Sequence, residues 1–175
     1  MTMRNLIGIA LTVTMLAAPA FATTAVRMDL EQLVQEADLI VQGHVQSVYC
    51  QWDEARRLVF TYISILVDEP FKGERRESVL IRQVGGTVGT IQMSVAGVPQ
   101  FKSGETAIVF LKRQAGGTFQ VVGMNQGLYE IIGDFAVSNV SGVDLLDSKT
   151  GQITRPLIGG RIPLEQLKTK IRELM

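Results

Sequence analysis

The spacing of apolar residues changes near residue 38, from the period of a helix to the period of a strand. Asp29 and Gln32 have the positions of an N-cap residue and its reciprocal partner, and apolar residues then recur at helical spacing up to Ala37. From residue 39 the period is two, with Leu39, Val41, Val45 and Tyr49 on one side and Gln42, His44 and Gln46 on the other. The pattern predicts a short helix over 30–37 followed by a half-buried strand.

Further strands are predicted at intervals through the middle of the chain. β-branched residues alternate from Leu58 to Val67, as a pleated strand prefers, and Glu69-Pro70 is expected to end that strand. Other strand predictions are one around Val79 and Ile81 that stops at Gly85-Gly86, a hairpin partner over Phe119–Met124, and a sixth strand over Leu128–Ile132. The run Ala107–Leu111 is apolar on both faces and predicts a central strand covered on both sides. The glycine-rich stretch from Gly85 to Gly104 is expected to be a long connection.

Strands outnumber helices, which places the fold in the mainly β class. Val143–Leu146 with Gln152-Ile153 predicts a small hairpin, and Leu164, Leu167, Ile171 and Leu174 form an apolar stripe after Pro163. Several short strands with helices only near the ends favour a closed or partly open antiparallel β-barrel over a βαβ fold. We expect a barrel domain over 23–133, with a C-terminal hairpin and amphipathic helix over 134–175 packed on it.

The first 22 residues have the layout of a secretory signal peptide. Arg4 precedes the apolar run Leu6–Ala18, and Ala20-Phe21-Ala22 resembles a cleavage site. The run is shorter than the roughly twenty residues that a membrane-spanning helix needs. We therefore expect cleavage after Ala22 and an exported protein, periplasmic or secreted, with no membrane partner after cleavage.

Composition excludes several classes of partner. The formal net charge is zero, which argues against a surface for nucleic acid or another polyanion. The cations Arg56, Arg57, Lys72, Arg75 and Arg76 alternate with Asp53, Glu54, Glu74 and Glu77, a pattern typical of a mixed solvated surface. Aromatic residues make up only 6%, which disfavours a platform for stacking sugars or bases. We expect no nucleic-acid partner.

Nucleophiles and metal ligands are scarce. His44 is the only histidine of the sequence and falls on the polar side of its strand, as a solvated surface residue does. Cys50, the only cysteine, follows along the same strand at roughly 20 Å, too far away to share a metal ion. Three interpretations of Cys50 stay open: a buried small side chain, a free thiol, or one half of an intermolecular disulfide. We predict no catalytic residue, no metal and no cofactor.

The glycine-rich stretch supplies the candidate binding residues. Gly85-Gly86-Thr87-Val88-Gly89 has the glycines of a phosphate loop, but neither a Lys-Ser/Thr pair nor a helix follows. A loop at one rim of the barrel is the simpler interpretation, and a recognition loop is the functional one. The candidate contacts are Thr87, Thr90, Gln92 and Met93, together with Trp52 in the first hairpin connection, which either caps the barrel end or is an exposed contact.

A family resemblance adds to this interpretation. The segments 37–45, 61–62, 71–73, 82–86, 99–105 and 109–111 resemble a group of exported bacterial proteins of unassigned function. More distantly, a Phe-Lys-Gly turn and a later Phe-x-x-Gly-Glu are similar to the OB-like barrels of the netrin and metalloprotease-inhibitor (TIMP) class. That class implies an OB-like barrel. Its inhibitory chemistry does not follow, because the N-terminal cysteine on which it depends has no counterpart here.

Three functional hypotheses remain. The first is an exported, non-enzymatic binding or accessory module that engages an extracytoplasmic protein. The second is a hydrolase that uses carboxylates such as Asp53, Glu54 or Glu105, since paired carboxylates catalyse without histidine. The third is a carrier of a small apolar ligand, which requires a cavity of several hundred cubic ångströms inside the barrel.

Overall fold

The computed structural model describes residues 24–140, 144–154 and 160–175, and these residues form mainly β structure. The expected signal peptide and Val143 of the predicted hairpin lie outside the described residues. The strands are β1 (Thr24–Val26), β2 (Leu39–Trp52), β3 (Val59–Lys72), β4 (Ser78–Val84), β5 (Gly86–Val88), β6 (Ile91–Met93), β7 (Thr106–Arg113), β8 (Phe119–Val121), β9 (Leu128–Ile132), β10 (Phe135–Ser138), β11 (Asp144–Leu146), β12 (Ile153–Thr154) and β13 (Arg161–Pro163). The helices are α1 (Leu30–Glu36) and α2 (Leu164–Glu173), and neither of these described helices is long and apolar enough to cross a membrane.

Five strands close into a barrel. β2, β3 and β4 form an antiparallel meander, and β7 pairs antiparallel with the other edge of β2. β8 then joins the two ends, antiparallel to β7 and parallel to β4 at the Ile81–Phe119 pair. The predicted fold class is confirmed as a mainly β fold with a closed β-barrel, a short helix near the N-terminus and a helix at the C-terminus.

The predicted capping of α1 is present. The Asp29 carboxylate accepts a hydrogen bond from the Gln32 backbone N–H at 2.8 Å, and the Gln32 side chain accepts one from Asp29 N–H at 2.9 Å. At the other end, the Lys72 ammonium donates to the Val34 carbonyl at 2.7 Å, which satisfies a terminal carbonyl of the helix. The helix is thereby attached to β3.

β7 separates two apolar layers. Ala107, Val109 and Leu111 face the barrel interior, where they pack with residues of β2, β3, β4 and β8. Ile108 and Phe110 face outward and pack beneath both helices. This arrangement confirms the prediction of a central strand covered on both sides, and it explains why its sequence shows no alternation.

The C-terminal part of the chain covers the outer layer. β9 pairs with β7, β10 with β9, and β13 with β10, so the sheet continues beyond the barrel. Leu167 and Ile171 of α2 are fully buried against this layer, and the helix is also held by Glu69 of β3, which binds Lys168 and Arg172. The predicted small hairpin exists as β11 and β12.

Two details of β2 and β3 differ from the predictions. The pairing register shifts between Val45 and Ser47, and this irregularity reverses the faces of the following residues. Tyr49, expected on the buried side with Val45, is therefore 47% exposed. β3 does not end at Pro70 but continues to Lys72, because Pro70 lies at a second register shift, where a missing N–H is tolerated.

Candidate functional site

The glycine-rich stretch folds back over one end of the barrel. The predicted long connection contains the β5–β6 hairpin, with Gly89 and Thr90 as its turn. Between this hairpin and strands β2 and β3 lies an open cavity of about 230 Å³. Its wall includes Cys50 and Thr61 from the barrel, and Gln83, Gly85 and Gly86 from the path into the hairpin. We call this space the hairpin cavity.

Side-chain hydrogen bonds tie the glycine-rich stretch to the barrel. The Thr61 hydroxyl donates to the Gly85 carbonyl at 2.6 Å, and the Gln83 amide donates to the Pro99 carbonyl at 2.7 Å. Gly86 has a positive φ of 130°, and a Cβ there would lie 2.5 Å from Cys50 Sγ and 2.6 Å from Thr61 Oγ1. Only glycine brings the chain this close to β2 and β3.

The structure brings together three of the five predicted contact residues. Thr87, Gln92 and Met93 line the hairpin cavity, and Thr87 and Gln92 are cross-strand partners. Thr90 lies in the exposed turn of the hairpin, outside the cavity wall. Trp52 is half-buried at the end of β2, where it pairs with Val59, and it too lies outside that wall. Three of the five predicted contact residues therefore line the hairpin cavity, and Thr90 and Trp52 lie outside it.

Cys50 and His44 lie on opposite sides of β2. Cys50 is half-buried, and its Sγ is 3.4 Å from Thr61 Oγ1 inside the hairpin cavity. The His44 side chain is 41% exposed, and its Nδ1 is 3.2 Å from Asp68 Oδ1. Within the described residues, no three His, Cys, Asp or Glu side chains form a group suited to a metal ion.

The candidate carboxylates serve as local turn partners. Asp53 accepts hydrogen bonds from the backbone N–H groups of Arg57 and Leu58, and the bond from Leu58 above all lowers the pKa of Asp53. A general acid needs the opposite shift. Glu105 is bonded through its backbone to Val45, so about 20 Å or more of β2 separates it from Asp53 and its neighbour Glu54.

The charged segments form ion pairs at the surface, as their alternation predicted. Arg76 binds Glu74 at 2.7 Å, and this hydrogen bond lowers the pKa of Glu74. Arg113 approaches the same carboxylate at 3.5 Å. The basic residues here are therefore mixed with acidic ones.

A cluster of aromatic side chains was missed by the sequence analysis. On the outer surface of β2, β3 and β4, the rings of Tyr49 and Tyr62 stack with centroids 5.2 Å apart. Beside them, the Arg82 guanidinium lies 3.6 Å from the centre of the Phe60 ring. Register explains the proximity, because Tyr62 pairs with both Tyr49 and Arg82. We call Tyr49, Phe60, Tyr62 and Arg82 the aromatic face.

A signal for this face exists in the sequence. Phe60 and Tyr62 alternate with the buried β-branched residues of β3, so their outward direction follows from the period of two. Their partners do not follow, because the register shift at Val45–Ser47 determines which residue of β2 faces Tyr62. The aromatic content of the whole sequence is only 6%, and this average does not reveal that Tyr49, Phe60 and Tyr62 meet on one face.

Comparisons with known proteins add no family. No family model matches the chain, and a search of curated proteins gives no significant match.

Proposed function

We propose that this protein is an exported, non-enzymatic binding module whose aromatic face engages an extracytoplasmic protein. The observation that carries the proposal is the stacking of Tyr49, which is 47% exposed, on the half-buried Tyr62, beside the half-buried pair of Arg82 and Phe60. Tyrosine and arginine are among the residues that contribute most binding energy at protein interfaces. An aromatic pair on a rigid sheet also loses little conformational entropy when a partner covers it.

Arg82 is suited to bind an acceptor on the partner. Stacking on Phe60 orients its guanidinium, and Arg82 makes no ion pair with another residue in the described part of the chain. The positive charge of Arg82 helps to lower the pKa of Asp53, although the two side chains form no hydrogen bond. A partner carboxylate or carbonyl would therefore find an ordered donor at this face.

The hairpin supplies the second part of the proposed surface. Val84, the last residue of β4, pairs with Phe60, so the chain enters the hairpin from the end of the strands that carry the aromatic face, and the hairpin then packs against Cys50 and Thr61 on the other face of these strands. Ile91 and Val95 are exposed apolar residues of this stretch, at 51% and 39%. Thr90 stands in the turn between the two short strands, where a partner would meet it first.

The two rival functions have less support. In the described part of the chain, the barrel interior is filled by side chains such as Ile63, Ile81 and Phe119, which does not favour an apolar ligand along the barrel axis. The distance between Asp53 and Glu105 does not favour paired carboxylate catalysis. Export, the family resemblance and the absence of a cofactor remain parts of the proposal.

Affinity capture tests the proposal. Tagged protein is expected to recover a stoichiometric partner from the extracytoplasmic fraction of its own cells, and Tyr49→Ser to lose most of it. Ile132→Ser is the matched control, because Ile132 is 53% exposed on β9, away from the aromatic face. Equal recovery with both variants, each shown to be folded by its melting curve, would refute the assignment of the face. Intact-mass measurement of the native protein separately tests cleavage after Ala22.

A further inference from the structure

The outer edge of the β5–β6 hairpin is unpaired. β5 is the inner strand, because its Gly86 packs against Cys50 and Thr61 of the barrel. β6 pairs with β5 and with no other strand in the described part of the chain. Ile91 of β6 is 51% exposed, and Gln92 beside it is exposed as well. One row of backbone groups of β6 is therefore open to a further strand.

The turn of the hairpin determines which backbone groups lie on this edge. Gly89 and Thr90 form a two-residue turn, and Gly89 has the positive φ, 60°, that tight hairpin turns need. Such a turn is closed by a hydrogen-bonded pair, here Val88 and Ile91, and non-hydrogen-bonded and hydrogen-bonded pairs alternate from there. Gln92 belongs to a non-hydrogen-bonded pair, so its backbone N–H and C=O point away from β5.

β6 lacks the features that usually protect an edge strand. Charged side chains, prolines and bulges are the common means by which proteins prevent strand addition at an edge. No charged residue occurs from Gln83 to Phe101, in a chain of which 19% is charged. β6 contains no proline, and its pairing with β5 has no register shift. The composition of this edge therefore favours the addition of another strand.

The residues along this edge are complementary to a second copy of themselves. Thr90 and Ser94, two positions to either side of Gln92, both carry hydroxyl groups, and Ile91 and Met93 are both apolar. Antiparallel pairing of two copies about Gln92 aligns the hydroxyl residues with each other and the apolar residues with each other, and such pairs stabilise adjacent strands. A two-fold axis at Gln92 also lets the two outward-facing backbones exchange both N–H···O=C bonds.

We propose that β6 pairs antiparallel with β6 of a second copy of this chain, which joins the two hairpins into one four-stranded sheet. The absence of charge favours a copy as the occupant, because identical charged strands would place like charges opposite each other. Each strand has only three residues, so we expect a weak dimer with a dissociation constant between the micromolar and the millimolar range. The pairing does not depend on the aromatic face, which lies on the other face of β2 and β3 from the hairpin.

Sedimentation velocity of the native protein, at concentrations from micromolar to millimolar, tests the proposal and should show a concentration-dependent dimer. Gln92→Lys should weaken the dimer about fivefold, because the two lysines would be directly opposite, with Cα atoms about 5.5 Å apart. Thr87→Lys is the matched control, since Thr87 is the cross-strand partner of Gln92 on β5. Its two copies would lie about 14 Å apart across three strand spacings, beyond the Debye length at physiological salt, and should leave the dimer unchanged.

Oxidative crosslinking tests the register with a second readout. Cys50, the only cysteine, is first replaced by Cys50→Ser. Gln92→Cys should then form a symmetric disulfide dimer, whereas the Cα atoms in Thr87→Cys are too far apart to be bridged. A monomer at every concentration would overturn the proposal, as would equal effects of the two lysine variants or of the two cysteine variants. A dimer lost in Tyr49→Ser but retained in Gln92→Lys would equally overturn it, because the aromatic face would then hold the second copy.

Discussion

Gly86→Ala is predicted to destabilise the protein strongly, because the added methyl group has no room. Its Cβ would lie 2.5 Å from Cys50 Sγ and 2.6 Å from Thr61 Oγ1, at a φ of 130° that side chains rarely adopt. The backbone contributes about 1–3 kcal/mol and overpacking another 1–3 kcal/mol. We therefore expect a loss of about 2–6 kcal/mol in the free energy of unfolding.

Gly89→Ala provides the matched control. Gly89 also has positive φ, at 60°, but nothing lies within 4 Å of a Cβ there. Its cost should be the backbone term alone, about 1–2 kcal/mol. Urea denaturation followed by circular dichroism measures both values, and the reaction rate of Cys50 with a thiol reagent should rise in Gly86→Ala only. If the two alanine variants have the same stability and the same thiol reactivity, the hairpin does not pack on β2 and β3 as described.

The remaining predictions concern α2 and the loop anchor. Leu167→Ala should lower the free energy of unfolding by about 2–5 kcal/mol in urea denaturation, since Leu167 is 1% exposed, and a loss under 1 kcal/mol would mean that α2 is not packed on the sheet. Burial raises the pKa of Glu69, but its hydrogen bonds to Lys168 and Arg172 outweigh burial, and the pKa is lowered overall. The ion pairs of Glu69 therefore stabilise the fold at neutral pH, and this stabilisation is lost as the pH falls below about 4.5. Melting curves should show Glu69→Gln less stable than wild type at pH 7, with a difference that shrinks as the pH falls below about 4.5; a pH-independent difference would contradict the ion pairs. Thr61→Val keeps the side-chain shape but leaves the Gly85 carbonyl without its donor, so it should lower the free energy of unfolding by about 1–3 kcal/mol. Thr61→Ser retains the hydroxyl and should preserve the protection of the hairpin amides from hydrogen exchange.

Much of the barrel was predictable because a strand with one buried face has apolar residues at every second position. The β-branched residues of β3 and the apolar run of β7 mark positions that the interior requires, and both predictions were confirmed. The capping of α1 was also predictable, since it depends on residues three apart. Such signals are local, and a single sequence contains them.

The features that sequence analysis missed depend on contacts between distant segments. The register shift in β2 turns Tyr49 outward, and no local pattern marks the shift. The β5–β6 hairpin has only three residues in each strand, too few to show alternation. The cavity beside the 97–102 segment gathers residues from that segment, from β9 and from the turn at Asn125, which only the folded chain brings together.

Site-specific photocrosslinking in living cells tests the central claim most directly. A benzoyl-phenylalanine placed at position 49 lies on the aromatic face, and one at position 132 lies on an equally exposed part of β9. The account predicts one discrete adduct with an extracytoplasmic protein from position 49, reduced by Arg82→Ala, and no such adduct from position 132. The absence of an adduct at position 49, or the same adducts from both positions, would contradict it.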